Sequence, residues 1–99
     1  VIAFATGSDP DTTPEERFER LVDLPPSSKL VHKVLEEEAP LTQRQIRTRA
    51  LLPARTTRDA LAKLKAEGLV EERMYVPDAR KRLYTPLSIT VPDEVDLSE

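Results

Sequence analysis

At 99 residues the chain has material for one small domain, and with 38% hydrophobic, 4% aromatic and 33% charged residues its core must be lean and aliphatic. No run approaches the ~20 consecutive apolar residues of a membrane-spanning helix, so no membrane span is expected. The absence of cysteine excludes disulfide scaffolds, thiolate metal sites and thiol-based redox sensing, and one histidine, His32, leaves almost no material for a histidine metal centre or a histidine-activated nucleophile.

The net charge of −3 conceals a segregation. Residues 1–40 hold nine acids and four bases, residues 41–87 eleven bases and five acids, and residues 88–99 four acids and no base. A basic middle between acidic ends is the pattern of an anion-binding surface in an otherwise repulsive molecule; the bland alternative is a solvated charged surface. Ten of the fifteen bases are arginine, which suits bidentate contact with phosphate or guanine better than lysine does. Val1 to Thr6 is apolar but too short and uncharged for a signal sequence, and with no disulfides the expected location is the cytoplasm.

Residues 1–12, with Gly7, Ser8, Asp9, Pro10 and Asp11 and no periodicity, read as a mobile arm. Thr13-Pro14-Glu15-Glu16 supplies a cap, a proline at the first helical position and a capping-box acid. Phe18, Leu21 and Val22 then form one apolar stripe on a short helix that stops before Pro25-Pro26; the stripe serves either the chain's own core or a second subunit. A second helix is predicted from around Pro26 to Ser28 as far as Glu38, burying Leu30, Val31, Val34 and Leu35, with His32 beside them as a structural residue. Glu36-Glu37-Glu38 reads as a solvated run on its last turn, where the helix dipole disfavours acids.

Thr42-Gln43-Arg44-Gln45 is a second capping box, with Leu41 as a staple residue and Ile46 as its core contact, and it opens a short helix ending near Arg49 or Ala50. After the apolar turn Leu51-Leu52-Pro53 a fourth helix is predicted from Pro53 to Glu67, with Leu61 and Leu64 buried, Thr57 one turn earlier on the same face, and Gly68 at the stop. Beyond Gly68 the period changes. Leu69 to Tyr75 reads as a strand, Val76 to Arg80 as a turn, and Arg82 to Thr85 with Leu87 as the returning strand. Pro77 and Pro86 argue for an edge hairpin, with Tyr75 and Tyr84 facing across it as packing residues. Leu87 to Val91 alternates and is a candidate further strand, and from Pro92 the chain reads as a disordered acidic tail. The predicted organisation is an arm over 1–12, a folded domain over 13–87 and an acidic tail over 88–99.

Two helices joined by a tight turn and followed by a hairpin define an α+β class, a winged helix-turn-helix of about four helices plus a β-hairpin wing. In such a motif a short helix braces a longer one whose N-terminal half enters a major groove, and the hairpin carries cations to neighbouring phosphates or the minor groove. The candidate groove-facing residues are Ala54, Arg55, Thr56, Arg58 and Asp59, with Lys63 a turn later, and the wing candidates are Arg80, Lys81 and Arg82. Thr42, Gln43, Arg44 and Arg47 on the bracing helix are candidates for the DNA backbone. Arginines 80 and 82 with Lys81 also fit a simpler role as charged guards of an edge strand.

The stretch Leu41 to Tyr84 resembles the winged-helix domain of MarR-type regulators, particularly the small, arginine-rich forms of halophilic archaea. The likeness rests on Leu41-Thr42…Gln45-Ile46, Leu52-Pro53-Ala54-Arg55-Thr56, Ala60-Leu61…Leu64…Glu67-Gly68-Leu69-Val70 and the wing element Asp78-Ala79-Arg80. The resemblance implies that Asp78 orients Arg80 toward DNA while Arg55, Thr56 and Arg58 face the groove. Thr57 departs from the family, which usually has an aliphatic residue there, so looser packing is expected at that point. No long helix follows the wing of the kind that pairs full-length subunits, so effector sensing does not carry over, and which small molecule would serve as effector is not legible.

The function implied is a sequence-specific, double-stranded-DNA-binding transcription regulator acting as a homodimer on a roughly palindromic site. Phe18, Leu21 and Val22 are the candidate dimer interface. The alternative is a winged-helix protein-protein interaction module within transcription machinery. An enzyme is rejected, because no acid, base and nucleophile converge in the pattern, and no cofactor or metal is expected.

Overall fold

The architecture is that of a computed structural model, which describes residues 12–91. The arm expected over residues 1–11 and the tail expected from Pro92 lie outside the described residues. The elements in chain order are α1 (Pro14–Val22), α2 (Pro26–Glu38), β1 (Leu41–Thr42), α3 (Gln43–Ala50), α4 (Ala54–Ala66), β2 (Val70–Met74) and β3 (Arg82–Pro86).

Helix starts follow local chemistry. Thr13 Oγ1 accepts from the Glu16 amide at 3.1 Å while Glu16 Oε1 accepts from the Thr13 amide at 3.3 Å, the reciprocal box expected for α1. Thr42 and Gln45 repeat it at α3, at 3.2 and 2.9 Å. Helices α2 and α4 begin instead after Pro25 and Pro53, both in extended backbone. Gly68, at φ 71°, terminates α4, and the Leu69 amide reaches back to the Leu64 carbonyl at 2.9 Å. Helix α3 ends on Leu51, which takes the left-handed conformation at φ 57° although it is leucine and 88% exposed.

The core gathers Val31, Leu35, Ile46, Leu64 and Leu69 at its centre, flanked by Leu21, Leu41, Ala60, Leu61, Val70 and Tyr84. Each fully buried aliphatic side chain contributes about 2 kcal/mol of apolar burial. Helix α2 packs on α4, α3 and β3. Two small residues allow its close approach to α4, where Ser28 Oγ donates to the Ala60 carbonyl at 3.3 Å and both residues are fully buried. The buried stripe of α2 is Ser28, Val31, His32 and Leu35, a shift from the expected one: Leu30 is exposed, because it lies about 100° around the helix from Val31. The acids at the end of α2 are also less free than expected. Glu38 pairs with Arg49, and Glu36 lies 3.8 Å from both His32 and Lys33.

Only one strand of the hairpin, β2, lies at an edge. The sheet has three antiparallel strands in the order β1-β3-β2, so the wing's returning strand is central. Strand β1 pairs only Leu41 with Tyr84 and Thr42 with Leu83, so Pro86, two residues further along β3, removes no bond on that side. The register sets Tyr84 opposite Glu72, not Tyr75, which sits at the start of the turn with its amide on the Lys81 carbonyl at 3.0 Å. Leu87 to Val91 forms no strand but is held down: the Leu87 amide donates to the Leu69 carbonyl at 2.9 Å and the Thr90 amide to the Pro14 carbonyl at 3.2 Å. Arg17 clasps the same region, donating to the Ser88 carbonyl at 2.8 Å and the Thr12 carbonyl at 3.4 Å. Thr12 and residues 88–91, assigned from sequence to the arm and the tail, thus pack against α1.

Candidate nucleic-acid interface

Helices α3 and α4, joined through Leu51-Leu52-Pro53, form the helix-turn-helix. Its turn is closed by the Leu52 amide on the Arg47 carbonyl at 3.2 Å and the Thr57 amide on the Pro53 carbonyl at 3.0 Å. Thr57 is fully buried, and its Oγ1 also donates to the Pro53 carbonyl at 3.0 Å. The hydroxyl is therefore satisfied inside its own helix, and the looser packing expected at this departure does not arise. Ala60, Leu61 and Leu64 share that inward face, which turns Arg55, Arg58, Asp59 and Lys63 outward, with Ala54 and Thr56 half-buried. Lys63 and Asp59 occupy each other, Nζ to Oδ2 at 2.8 Å.

In the wing, Asp78 Oδ1 accepts from the Arg80 amide at 3.1 Å and from Arg80 Nε at 3.2 Å, while Oδ2 accepts from Nη2 at 3.4 Å. The Arg80 guanidinium and amide hold the Asp78 carboxyl below the usual range. The side chain of Arg80 is 89% exposed, so the carboxylate orients it without covering it. Arg82 is more committed than expected. Its Nη1 donates to the Ala79 carbonyl at 2.8 Å, and its Nε lies 3.9 Å from Glu72 Oε2.

Glu72 is a residue that sequence reasoning missed. It accepts from Lys65 of α4 and, at 3.3 Å, from the Tyr84 hydroxyl of β3, joining the fourth helix to the wing base. The Lys65 hydrogen bond holds its carboxyl below the usual value, while burial, aided by Glu72, pushes Tyr84 up to about 12. The hairpin register that sets Glu72 across from Tyr84 was the available signal, and it depends on turn length.

The cations differ in what they already hold. Among the described residues, Arg44, Arg47, Arg55, Arg58 and Lys81 make no ion pair and no side-chain hydrogen bond, and all belong to α3, α4 or the wing. Arg17, Arg20, Lys33, Arg49 and Lys65 each have a protein partner. Lys29 of α2 and Arg73 of β2 are likewise unpaired among the described residues. One cleft of about 260 Å³ opens between the start of α3 and the wing, with Arg44, Arg80, Lys81 and Arg82 on its walls. A second, of about 360 Å³, lies between α3 and the start of α4 beside Arg44, Arg47 and Ala54. Thr42 and Gln43, at the start of α3, border the first cleft.

The expected dimer stripe divides. Leu21 is 8% exposed and belongs to the chain's own core, Phe18 is half-buried, and Val22 is exposed. His32 is buried in α2, its Nδ1 3.8 Å from Glu36 Oε2 and its Nε2 without a hydrogen-bond partner. Burial lowers its pKa, against the opposing pull of the Glu36 carboxylate and the Leu87 backbone. Among the described residues no group of three His, Cys, Asp or Glu side chains is placed to hold a metal, and no helix is long and apolar enough to cross a membrane.

A bracing helix, a tight turn, an arginine-bearing second helix and a three-stranded sheet ending in a cationic hairpin together make a winged helix-turn-helix. Among solved structures, the PcaV transcriptional regulator from Streptomyces coelicolor is similar with a TM-score of 0.63 and 21% identity, over 75% of this chain and 56% of that one. The same regulator in complex with its natural ligand is similar with a TM-score of 0.63 and 19% identity, over 83% and 55%. The chain spans little more than half the length of that regulator. No protein-family model and no curated protein matches the chain.

Proposed function

We propose that this chain is the DNA-reading domain of a transcription regulator that binds double-stranded DNA sequence-specifically as a homodimer in the cytoplasm. The observation that carries this reading is a cluster of unpaired cations: Arg44, Arg47, Arg55, Arg58 and Lys81 lie together on one helix-turn-helix and wing, where Arg49, Lys63, Lys65, Arg80 and Arg82 are the ones paired with acids. Ala54, Arg55, Thr56 and Arg58 enter the major groove, with Asp59 and Lys63 a turn behind. Arg80, held by Asp78, reaches from the wing with Lys81 and Arg82, and Thr42, Gln43, Arg44 and Arg47 meet the backbone. A two-fold dimer, using Phe18 and Val22 outside the core, sets recognition helices about 34 Å apart on a palindromic site. With about four phosphates per subunit, log affinity falls against log salt with a slope of roughly −7 for the dimer.

The test is selection of bound fragments from sheared genomic DNA, with the native chain beside an Arg55→Ala/Arg58→Ala variant. Both side chains are exposed, so the fold is retained. The expected result is a palindromic motif enriched by the native chain and lost by the variant, since each base contact contributes about 1–3 kcal/mol. No enrichment by the native chain at any salt overturns the reading and turns the search to protein partners.

A further inference from the structure

We infer that the cleft between α3 and the wing grips a single backbone phosphate with one cation from each element, Arg44 from α3 and Lys81 from the wing. This rests on the DNA-binding reading and goes beyond it: bracing helix and wing share one phosphate instead of taking one each.

Four observations support it. The two walls of the cleft are joined by backbone pairing, since Thr42, the residue before α3, is in register with Leu83, two residues after Lys81. The pairing therefore sets Arg44 and Lys81 on walls of the same cleft. The cleft of about 260 Å³ has room for a phosphate group and some of its water. Among the described residues no carboxylate lines it, and the acids bonded to its lining residues are engaged, Asp78 by Arg80 and Glu72 by Lys65 and Tyr84. Of its four cations, Arg80 and Arg82 have protein partners, whereas Arg44 and Lys81 have none. Two uncompensated like charges facing one cavity repel each other, and an anion between them removes that repulsion.

The slope of log affinity against log salt counts phosphates neutralised, about 0.9 for each. It therefore separates one shared phosphate from two. A duplex carrying the selected motif is titrated at several salt concentrations with the native chain, Arg44→Gln, Lys81→Gln, the double variant and Arg73→Gln, the last an unpaired cation outside the cleft. For a shared phosphate each single variant loses well under 0.9 per bound chain, because the other cation still neutralises it, and the double variant loses about 0.9. Two separate phosphates give a loss of about 0.9 for each single variant and about 1.8 for the double, which overturns the inference while leaving DNA binding intact. An unchanged slope in the double variant, or an equal loss in Arg73→Gln, also overturns it. If the native chain shows no salt-dependent duplex binding, the DNA-binding reading itself fails.

Discussion

Replacing His32 with leucine is expected to make the domain more stable and less sensitive to acid. His32 is 1% exposed, Nε2 has no partner, and the 3.8 Å separation of Nδ1 from Glu36 is too long for a hydrogen bond. A buried polar atom left unpaired costs about 1–3 kcal/mol, and leucine fills a similar volume with no polar atom. Allowing for the lost attraction to Glu36 and to the Leu87 backbone, the net gain is about 1 kcal/mol, which raises Tm by about 4–8 °C in a domain of this size. The pH dependence follows from the direction of the shift. Burial holds the folded pKa below the usual 6.5, so the unfolded chain takes up a proton first as the solution is acidified. The stability associated with neutral His32 is complete above pH 6.5 and is lost as pH falls from there through the folded value. Urea denaturation of native chain and variant between neutral pH and pH 5 measures both effects. A lower midpoint for His32→Leu at neutral pH, or an equal loss of stability in both proteins below pH 6.5, would refute the reasoning.

Glu72→Gln removes the charge that joins α4 to the wing. A partly exposed, charge-assisted pair contributes about 1 kcal/mol, and because Lys65 holds Glu72 below its usual 4.5, that contribution is present above pH 4.5 and fades as pH falls through the folded value. Thermal unfolding should show a gap between native chain and variant at neutral pH that closes in acid, and the Tyr84 phenol, now at about 12, should ionise earlier in an alkaline absorbance titration. Leu51→Gly relieves a left-handed leucine that is 88% exposed and so gives up little packing. The relief of about 1–2 kcal/mol is partly offset by glycine's greater unfolded-state freedom, and a Tm increase of a few degrees is expected; a decrease would show that Leu51 packs more than its exposure indicates.

The features legible in the sequence were those with local causes. Thr13 with Glu16 and Thr42 with Gln45 announce helix starts because a capping box spans four residues, and Gly68 announces a stop because few other residues take its backbone angles. The pairing of Asp78 with Arg80 was implied by the family resemblance, and it too is local, two residues apart in one turn. What escaped depends on distant pairing. Strand β1 has two residues, too few for any alternation, and it alone makes β3 central. The engagement of Arg82 and the joining role of Glu72 need the hairpin register, and the burial of Leu21 in the chain's own core needs the approach of α1 to α2. Among the interface candidates, sequence could mark the cations but not which of them the fold had already neutralised.

The pairing of β1 with β3 also has a mechanical meaning. Through Leu41 and Thr42 the wing's returning strand is fastened to the residues that open α3, while Glu72 fastens the same hairpin to α4. The span from α4 to the wing base is thus set at two fastenings. On the reading proposed here, a duplex whose groove spacing differs from that span is held by bending or widening, so stiff and pliant DNA sequences would be sorted even at positions that no side chain touches.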